Sequence, residues 1–146
     1  MNLTSNFKKS EFECKCGCEM PMEVFFNIQK LANQLQYTRD FIELPITITN
    51  AYRCRSHNKE VGGVSDSQHI LGKAADLQVK GLPPKDLYKV LDTLAEYNHV
   101  MQGGLGLYNT FVHYDIRGTK ARNKHEQTMT DHDNTVTNQE KHKEAI

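Results

Sequence analysis

The sequence carries no excess of either charge and no long apolar run. Its 146 residues include 18 Lys and Arg against 18 Asp and Glu, which gives a formal net charge of zero and a sequence pI near 7.0. This balance gives no reason to expect binding to nucleic acid or to an anionic membrane. No apolar run approaches the ~20 residues that a membrane span requires. We therefore expect neither a nucleic-acid partner nor a membrane span.

An ordinary secretory signal is also missing. The segment MNLTSNFKK at the start contains no apolar h-region, so we expect the chain to be made in the cytoplasm without a signal peptide. We find no internal repeat, and the length is that of one domain with a small core. We expect a monomeric domain over residues 1–118. Residues 119–146 have almost no large apolar side chains and are predicted to form a disordered polar tail.

The apolar pattern predicts helices and short strands. Residues 22–40 repeat apolar side chains at spacings of three and four, and a second such stripe follows Pro83-Pro84. A Gly-Gly pair among polar residues predicts a short helix and a loop over 55–68. The predicted strands are 46–49, 74–79, and a hairpin of 105–108 with 111–116. The fold class is therefore α+β, with a small antiparallel sheet that bears a site on one face and is covered by helices on the other.

Two histidines and an aspartate stand out as a set of metal ligands. His69 precedes a predicted bend, and Asp76 follows on a strand where it projects from an apolar alternation. A carboxylate in that position needs a cation or hydrogen bonds. In the last predicted strand, alternation directs His113 and Asp115 to one face. Because two imidazoles and a carboxylate suit a catalytic zinc with an open fourth position, we predict one ion held by His69, Asp76 and His113.

Several segments in the same order resemble one peptidase family. The centre of the pattern is Ser-x-His-x-x-Gly-x-Ala-x-Asp at residues 67–76. The flanking segments are FECKCGC at 12–18, AYRC at 51–54, HNKEVGG at 57–63, GGLGLY at 103–108 and FVHYDIRG at 111–118. Together they resemble the zinc D-Ala-D-Ala carboxypeptidases and peptidoglycan endopeptidases, which include endolysins. The resemblance covers about residues 7–118 and implies a Hedgehog/D-Ala-D-Ala peptidase-like fold.

The resemblance also implies roles for residues around the metal. Arg53 matches an arginine that stabilises the developing oxyanion or holds a substrate carboxylate, which suits the fork of guanidinium donors. Ser67 either binds substrate or caps its turn. Relatives often carry the general base three residues before the last histidine, where this sequence has Thr110. Asp115 is the nearest available carboxylate, and it is either the general base or a group that fixes the orientation of an imidazole.

Other assignments stay open at this point. If Asp115 is itself a ligand, His113 becomes the proton-transfer group. Arg117 either meets a peptide carboxylate or is solvated at a strand end, and we favour solvent. The remaining histidines have no partner in the pattern, and those in the tail are adventitious metal binders rather than ligands. They are His57, His99, His125, His132 and His142.

The four cysteines pose a separate question. Cys14, Cys16 and Cys18 alternate in a polar N-terminal arm, residues 1–21, while Cys54 lies beside the predicted site. Single intervening residues make a cramped chelate compared with the Cys-x-x-Cys spacing of structural zinc sites, and disulfides require an oxidising setting. We favour Cys54 either pairing with the arm or sharing a ligand set with it, against free thiols.

The resulting hypothesis is zinc-dependent hydrolysis of a peptide bond in peptidoglycan stem peptides or cross-links, for cell-wall lysis or remodelling. Because such an enzyme without a signal peptide must leave the cytoplasm by another route, we expect action at the cell wall or periplasm after phage-type release. The alternative is a non-catalytic, zinc-stabilised wall-binding or phage structural module, which the missing carboxylate at Thr110 admits.

Overall fold

Helices and strands alternate along the chain in the computed structural model, which describes residues 1–125. In chain order the elements are a 3-10 helix Lys9–Phe12, α1 Met22–Ile42, β1 Thr47–Asn50, α2 Arg55–Glu60, β2 Ala74–Gln78, α3 Pro84–Glu96, β3 Gly104–Tyr108, β4 Val112–Asp115 and β5 Ala121–His125. The predicted α+β class is confirmed. The predictions for His132, His142 and the tail beyond residue 125 lie outside the described residues.

The strands form one mixed sheet in the order β1-β2-β4-β3-β5. The first four strands in this order pair antiparallel, and β3 with β4 is the expected hairpin. Its turn is closed by the Tyr108 N–H, which donates to the Phe111 carbonyl at 3.0 Å. β5 instead pairs with β3 in parallel. The predicted antiparallel sheet therefore carries one additional parallel pair at its edge, which makes it mixed.

The fifth strand comes from a segment that we expected to belong to the tail. Ala121–His125 runs in register beside β3, from Gly104 opposite Ala121 onwards. The Arg122 guanidinium donates to Asp92 at 3.0 Å and to the Gly103 carbonyl at 2.7 Å. Backbone pairing and such polar contacts stabilise the strand without an apolar face, so composition gave no signal for it. The paired strands therefore continue beyond the predicted boundary at residue 118, to residue 125.

Both long helices bury apolar stripes in one core with the sheet. The buried side chains include Ile28, Leu31 and Leu35 on α1, Leu87 and Leu91 on α3, and Leu77, Leu105 and Val112 on the strands. Because successive strand side chains alternate between faces, the neighbours of Leu77 and Val112 point away from this core. The sheet thereby offers its other face to Asp76 and His113.

The N-terminal arm packs against the segment that follows β1. Phe7 and Phe12 are buried with their rings edge to face at a centroid distance of 6.2 Å. The Tyr52 N–H donates to the Phe12 carbonyl at 3.1 Å, which joins the arm to the residues just before Arg53. Among residues 1–125, no helix is both long and apolar enough to cross a membrane.

Candidate metal centre

Strand register brings a carboxylate and an imidazole side by side. Asp76 on β2 lies directly opposite His113 on β4, and such pairs place their side chains on the same face, with Cβ atoms about 4.5–5.5 Å apart. His69 comes from a turn before β2 that closes with the Gly72 N–H donating to the His69 carbonyl at 3.2 Å. Gly72 has φ +75°, a conformation that glycine adopts at little cost. The predicted bend between His69 and Asp76 is therefore present.

The three predicted ligands converge on one point. His69 Nε2 and His113 Nδ1 each lie 3.3 Å from Asp76 Oδ1, and the three donor atoms all lie within 4.8 Å of one another. Both histidines are buried, whereas Asp76 keeps 14% of its side chain exposed. The cluster is therefore accessible to solvent on the carboxylate side.

The second nitrogen of each imidazole is held by a fixed acceptor. His69 Nδ1 donates to the Ala51 carbonyl at 2.6 Å, and His113 Nε2 donates to Asp115 Oδ2 at 2.7 Å. A carbonyl and a carboxylate only accept hydrogen bonds, so these two nitrogens carry the protons. In the neutral rings, His69 Nε2 and His113 Nδ1 therefore present lone pairs toward Asp76. Metal-ligating histidines are typically oriented in this way.

Two imidazole lone pairs and a carboxylate face one another, and this arrangement favours a positive charge between them. Burial lowers the pKa of His69. Burial also opposes charge on His113, but its hydrogen bonds to Asp115 and Asp76 outweigh that effect and raise its pKa. Burial alone would raise the pKa of Asp76, whereas its contacts with both imidazoles hold it well below its usual range. A proton or a metal ion can supply this positive charge. The mixed nitrogen and oxygen donors and the one accessible side fit zinc.

Comparison with protein families finds a match that covers the residues of this centre. The model of the family Peptidase M15 matches residues 4–115. The chain belongs to the peptidase M15 family. The match runs from the arm to Asp115 and includes His69, Asp76 and His113, and the resemblance noted from the motifs is confirmed. This M15 protein is therefore a member of a zinc-dependent metallopeptidase family. No curated protein matches the chain significantly.

Arg53 lies at the edge of the M15 centre. Its backbone N–H donates to the His69 carbonyl at 3.1 Å, and its side-chain Nη2 lies 3.5 Å from Ser67 Oγ. Burial lowers the pKa of Arg53, and the negative charge of Asp76 opposes that shift. Its Nε is buried without a hydrogen-bond partner among the described residues. Ser67 Oγ accepts the His69 N–H at 3.1 Å, so Ser67 caps the turn while it contacts Arg53.

Asp115 lies behind His113 and not beside the three donor atoms. Its Oδ1 accepts the Gly104 N–H at 2.8 Å and Arg117 Nε at 2.9 Å, and its Oδ2 accepts Arg117 Nη2 at 2.8 Å. Burial would raise the pKa of Asp115, but Arg117 and then His113 hold it well below its usual range. The expectation that Arg117 is solvated is wrong, because a fully buried carboxylate needs a charged partner.

The other residues singled out by sequence lie elsewhere. The Thr110 carbonyl accepts Gln78 Nε2 at 3.0 Å. His57 lies 3.6 Å from Glu60 on α2, and the His99 ring stacks on Tyr37 at 5.7 Å. Neither histidine belongs to a metal-ligand group found within residues 1–125.

Tyr108 is close enough to Asp76 to feel its charge, although the sequence did not predict it as a site residue. It ends β3 and stacks on Phe111 with ring centroids 4.4 Å apart. Burial raises the pKa of Tyr108 to about 12, and the negative charge of Asp76 adds to the shift. At neutral pH its phenol is therefore a hydrogen-bond donor. Only the pairing of β3 with β4 and of β4 with β2 brings Tyr108 toward Asp76, so the sequence carried no separate signal for it.

Proposed function

We propose that this M15 peptidase hydrolyses a peptide bond in peptidoglycan stem peptides or their cross-links. The observation that carries the proposal is the convergence of His69, Asp76 and His113 beside a half-buried arginine. The residues would hold one zinc ion through His69 Nε2, Asp76 Oδ1 and His113 Nδ1. When bound, the ion supplies a Lewis acid for the scissile carbonyl. The remaining steps depend on side chains of the chain itself.

Arg53 is the group that we propose to bind the developing negative charge. The backbone of Arg53 is fixed by its hydrogen bond to the His69 carbonyl, and its guanidinium contacts Ser67 through Nη2. Its buried Nε has a hydrogen to donate. A donor that is fixed before reaction costs no reorganisation when the oxyanion forms. The same fork can accept a substrate carboxylate in two hydrogen bonds. Both roles fit a substrate that ends in a free carboxylate, as a stem peptide does.

A surface groove beside Ser67 supports a route for the substrate. It is lined by Arg55, Ser65, Asp66, Ser67, Ile70 and Leu71. A cation, an anion and apolar side chains share this lining. Stem peptides carry carboxylates, an amine and small apolar side chains, and we propose that they lie in this groove with the scissile bond toward His69.

Asp115 and Tyr108 are the remaining polar groups near the centre, and their surroundings support different roles in hydrolysis. Hydrolysis adds water across the C–N bond, so the carbonyl carbon gains an oxygen and the leaving amine gains a proton. Asp115 is enclosed by Arg117, Gly104 and His113, which supports its role in orienting His113 over its role as general base.

We propose Tyr108 as the hydrogen-bond donor to the reacting group. Tyr108→Phe should then lower kcat about tenfold or less, which corresponds to the loss of roughly one hydrogen bond. Mass spectrometry should show the same zinc content as in the wild-type chain.

The test of the substrate is mass spectrometry of defined muropeptides after incubation with the zinc-loaded chain. Loss of a terminal D-alanine would identify a carboxypeptidase, cleavage between stem peptides a cross-link endopeptidase, and cleavage after L-alanine an L-Ala-D-Glu endopeptidase. Arg53→Ala is the matched variant, because it should keep the metal and lose cleavage. A folded, zinc-loaded chain that cleaves unrelated peptides but no muropeptide would refute the peptidoglycan assignment.

One observation favours a second candidate, a non-catalytic wall-binding or phage structural module. Relatives often place a carboxylate where this chain has Thr110, whose carbonyl binds Gln78. Zinc-dependent binding to purified cell walls without release of new amines would support this module. Release of amines that stops on chelation would exclude it. Action at the cell wall after phage-type release remains our proposal for the enzyme, and recovery of the chain in purified phage particles would instead favour the structural module.

A further inference from the structure

All four cysteines of the chain meet at one point, in a group that contains no residue of the histidine centre. Cys14 Sγ lies 3.3 Å from Cys16 Sγ and 3.9 Å from Cys54 Sγ, and Cys16 Sγ lies 3.6 Å from Cys54 Sγ. Cys18 completes the group, and the four sulfur atoms all lie within 4.8 Å of one another. Each cysteine is a free thiol. The M15 chemistry described above uses none of them.

The spacing of the sulfurs is that of a metal site. A zinc ion binds thiolates at about 2.3 Å in a tetrahedron, which places neighbouring sulfurs about 3.8 Å apart. The three contact distances of 3.3, 3.6 and 3.9 Å bracket this value. A disulfide needs sulfurs at about 2.05 Å and joins only two of them. Four sulfurs that surround one point therefore fit one ion better than any pairing.

A turn in the arm removes the difficulty posed by the single-residue spacing. The Gly17 N–H donates to the Cys14 carbonyl at 3.0 Å, and Gly17 has φ +86°. This reversal folds the Cys14–Cys18 stretch onto itself, so alternate residues no longer point to opposite sides as they would on a strand. Cys54, the residue before α2, is distant from the arm in sequence and joins these three cysteines in the fold. Cys54 supplies the fourth sulfur without adding another short chelate loop to the arm.

We propose that Cys14, Cys16, Cys18 and Cys54 hold a second, structural zinc ion. Four thiolates of one kind leave no open position, which is characteristic of structural and not catalytic zinc. The Cys54 N–H points to Cys14 Sγ at 3.4 Å, a contact that stabilises thiolate charge. Cys14 is buried and Cys16 is exposed, so the site is anchored in the core and open to metal loading.

The proposed ion would also fix the segment that positions the histidine centre. Cys54 follows Arg53 directly, and the Ala51 carbonyl three residues earlier holds His69 Nδ1. The Tyr52 N–H ties the same segment to the arm through Phe12. The thiolate site therefore closes a loop between the arm and residues 51–54. Its loss should loosen Arg53 without removing any ligand of the first ion.

The experiment counts metal ions in the reduced full-length chain by native mass spectrometry and elemental analysis. We expect two zinc ions per chain, one for each ligand group, and one in His113→Ala. Cobalt loading of His113→Ala should give the near-ultraviolet sulfur-to-cobalt charge-transfer band of a thiolate site. Cys16→Ser should lose this band and one metal ion, and it is chosen because Cys16 is exposed.

The matched control is Ser56→Ala. Ser56 Oγ lies 3.8 Å from Cys54 Sγ but does not belong to the ligand group, so this variant should keep both ions. If Cys16→Ser fails to fold, His113→Ala decides alone, since it retains all four thiols. A folded His113→Ala chain that binds no metal, or that binds cobalt without the thiolate band, would overturn the proposal. Iron in place of zinc after purification would overturn the assignment of zinc. These readouts do not involve muropeptide cleavage, so they stand or fall separately from the proposed function.

Discussion

The histidine centre and the cysteine cluster both contact residues 51–54 but are built in different ways. Asp76 and His113 come from neighbouring strands in fixed register, and His69 from a turn anchored to a backbone carbonyl. The cysteines come from a glycine turn in the arm and from the residue before α2. The first cluster has three donors of mixed type and one accessible side. The second has four sulfur donors, which is a complete tetrahedral ligand set. A rigid sheet thus supports the reactive site, whereas the thiolate cluster serves to join segments.

The largest effect should follow from removing an imidazole of the strand-built centre. His113→Ala deletes one of three ligands and leaves Asp115 and Arg117 paired behind an empty position, so we expect peptidase activity to fall to the uncatalysed background. Zinc content should fall by one ion per chain, while the cobalt-thiolate band persists. His99→Ala is the matched control, because His99 stacks on Tyr37 at the surface and should change neither quantity. Activity that survives full loss of the ion would contradict the zinc mechanism.

The next largest effect tests the residue that lies between the two clusters. Arg53→Lys keeps the positive charge but loses the planar fork, and we expect kcat to fall by about 10²–10³-fold, the range for loss of one oxyanion donor. Zinc content should stay at the wild-type value. Single-turnover assays on a defined muropeptide measure the change. An unchanged kcat with a raised KM would instead assign Arg53 to binding of the substrate carboxylate.

Asp115→Asn separates the two roles considered for this carboxylate. If Asp115 orients His113, the amide should weaken zinc binding by about 10–100-fold, and kcat at saturating zinc should change little. A competition assay with a chelator measures the dissociation constant. If Asp115 is the general base, kcat should collapse at saturating zinc while the dissociation constant stays unchanged.

A pair of glycine substitutions compares the two constructions directly. An added Cβ at Gly104 would collide with Asp115 Oδ2 and lie 2.9 Å from Arg117 Nη2, whereas one at Gly17 would meet nothing within 4 Å. Gly104→Ala should therefore cost about 1–3 kcal/mol through overpacking and weaken the histidine centre. Gly17→Ala should cost about 1–2 kcal/mol through its left-handed backbone alone, and weaken only the thiolate site. Thermal melts measure the loss of stability in both variants, and metal analysis counts the ions that each retains. Equal loss of both ions in either variant would show that the two sites are not independent.

The sequence predicted the parts of the fold whose signal is apolar periodicity. The stripes of α1 and α3 and the strand alternation around Asp76 follow directly from side-chain spacing, and the three metal donors come from motif residues. The strand from Ala121 was not predicted, since Arg122 is stabilised by Asp92 and a carbonyl rather than by a core. Long-range partners such as these have no local pattern.

Two features of the site depended on contacts that spacing does not encode. Arg117 was predicted to be solvated, yet it pairs with a buried carboxylate two residues before it, because both lie where β4 ends and the chain turns back toward Gly104. The cysteines alternate in a way that suggests a strand, and only the turn at Gly17 brings them to one side. In both cases the backbone path, and not residue type, decides which side chains meet.

The parallel pairing of β5 with β3 has a practical consequence for handling the protein. A recombinant version cut at residue 118, where the family motifs end, would leave β3 paired with β4 alone and expose the backbone groups of Gly104–Tyr108 that face β5. Bare strand edges recruit other chains and promote aggregation. Poor solubility of such a shortened version would then reflect a truncation error and say nothing about catalysis, so expression boundaries belong beyond His125.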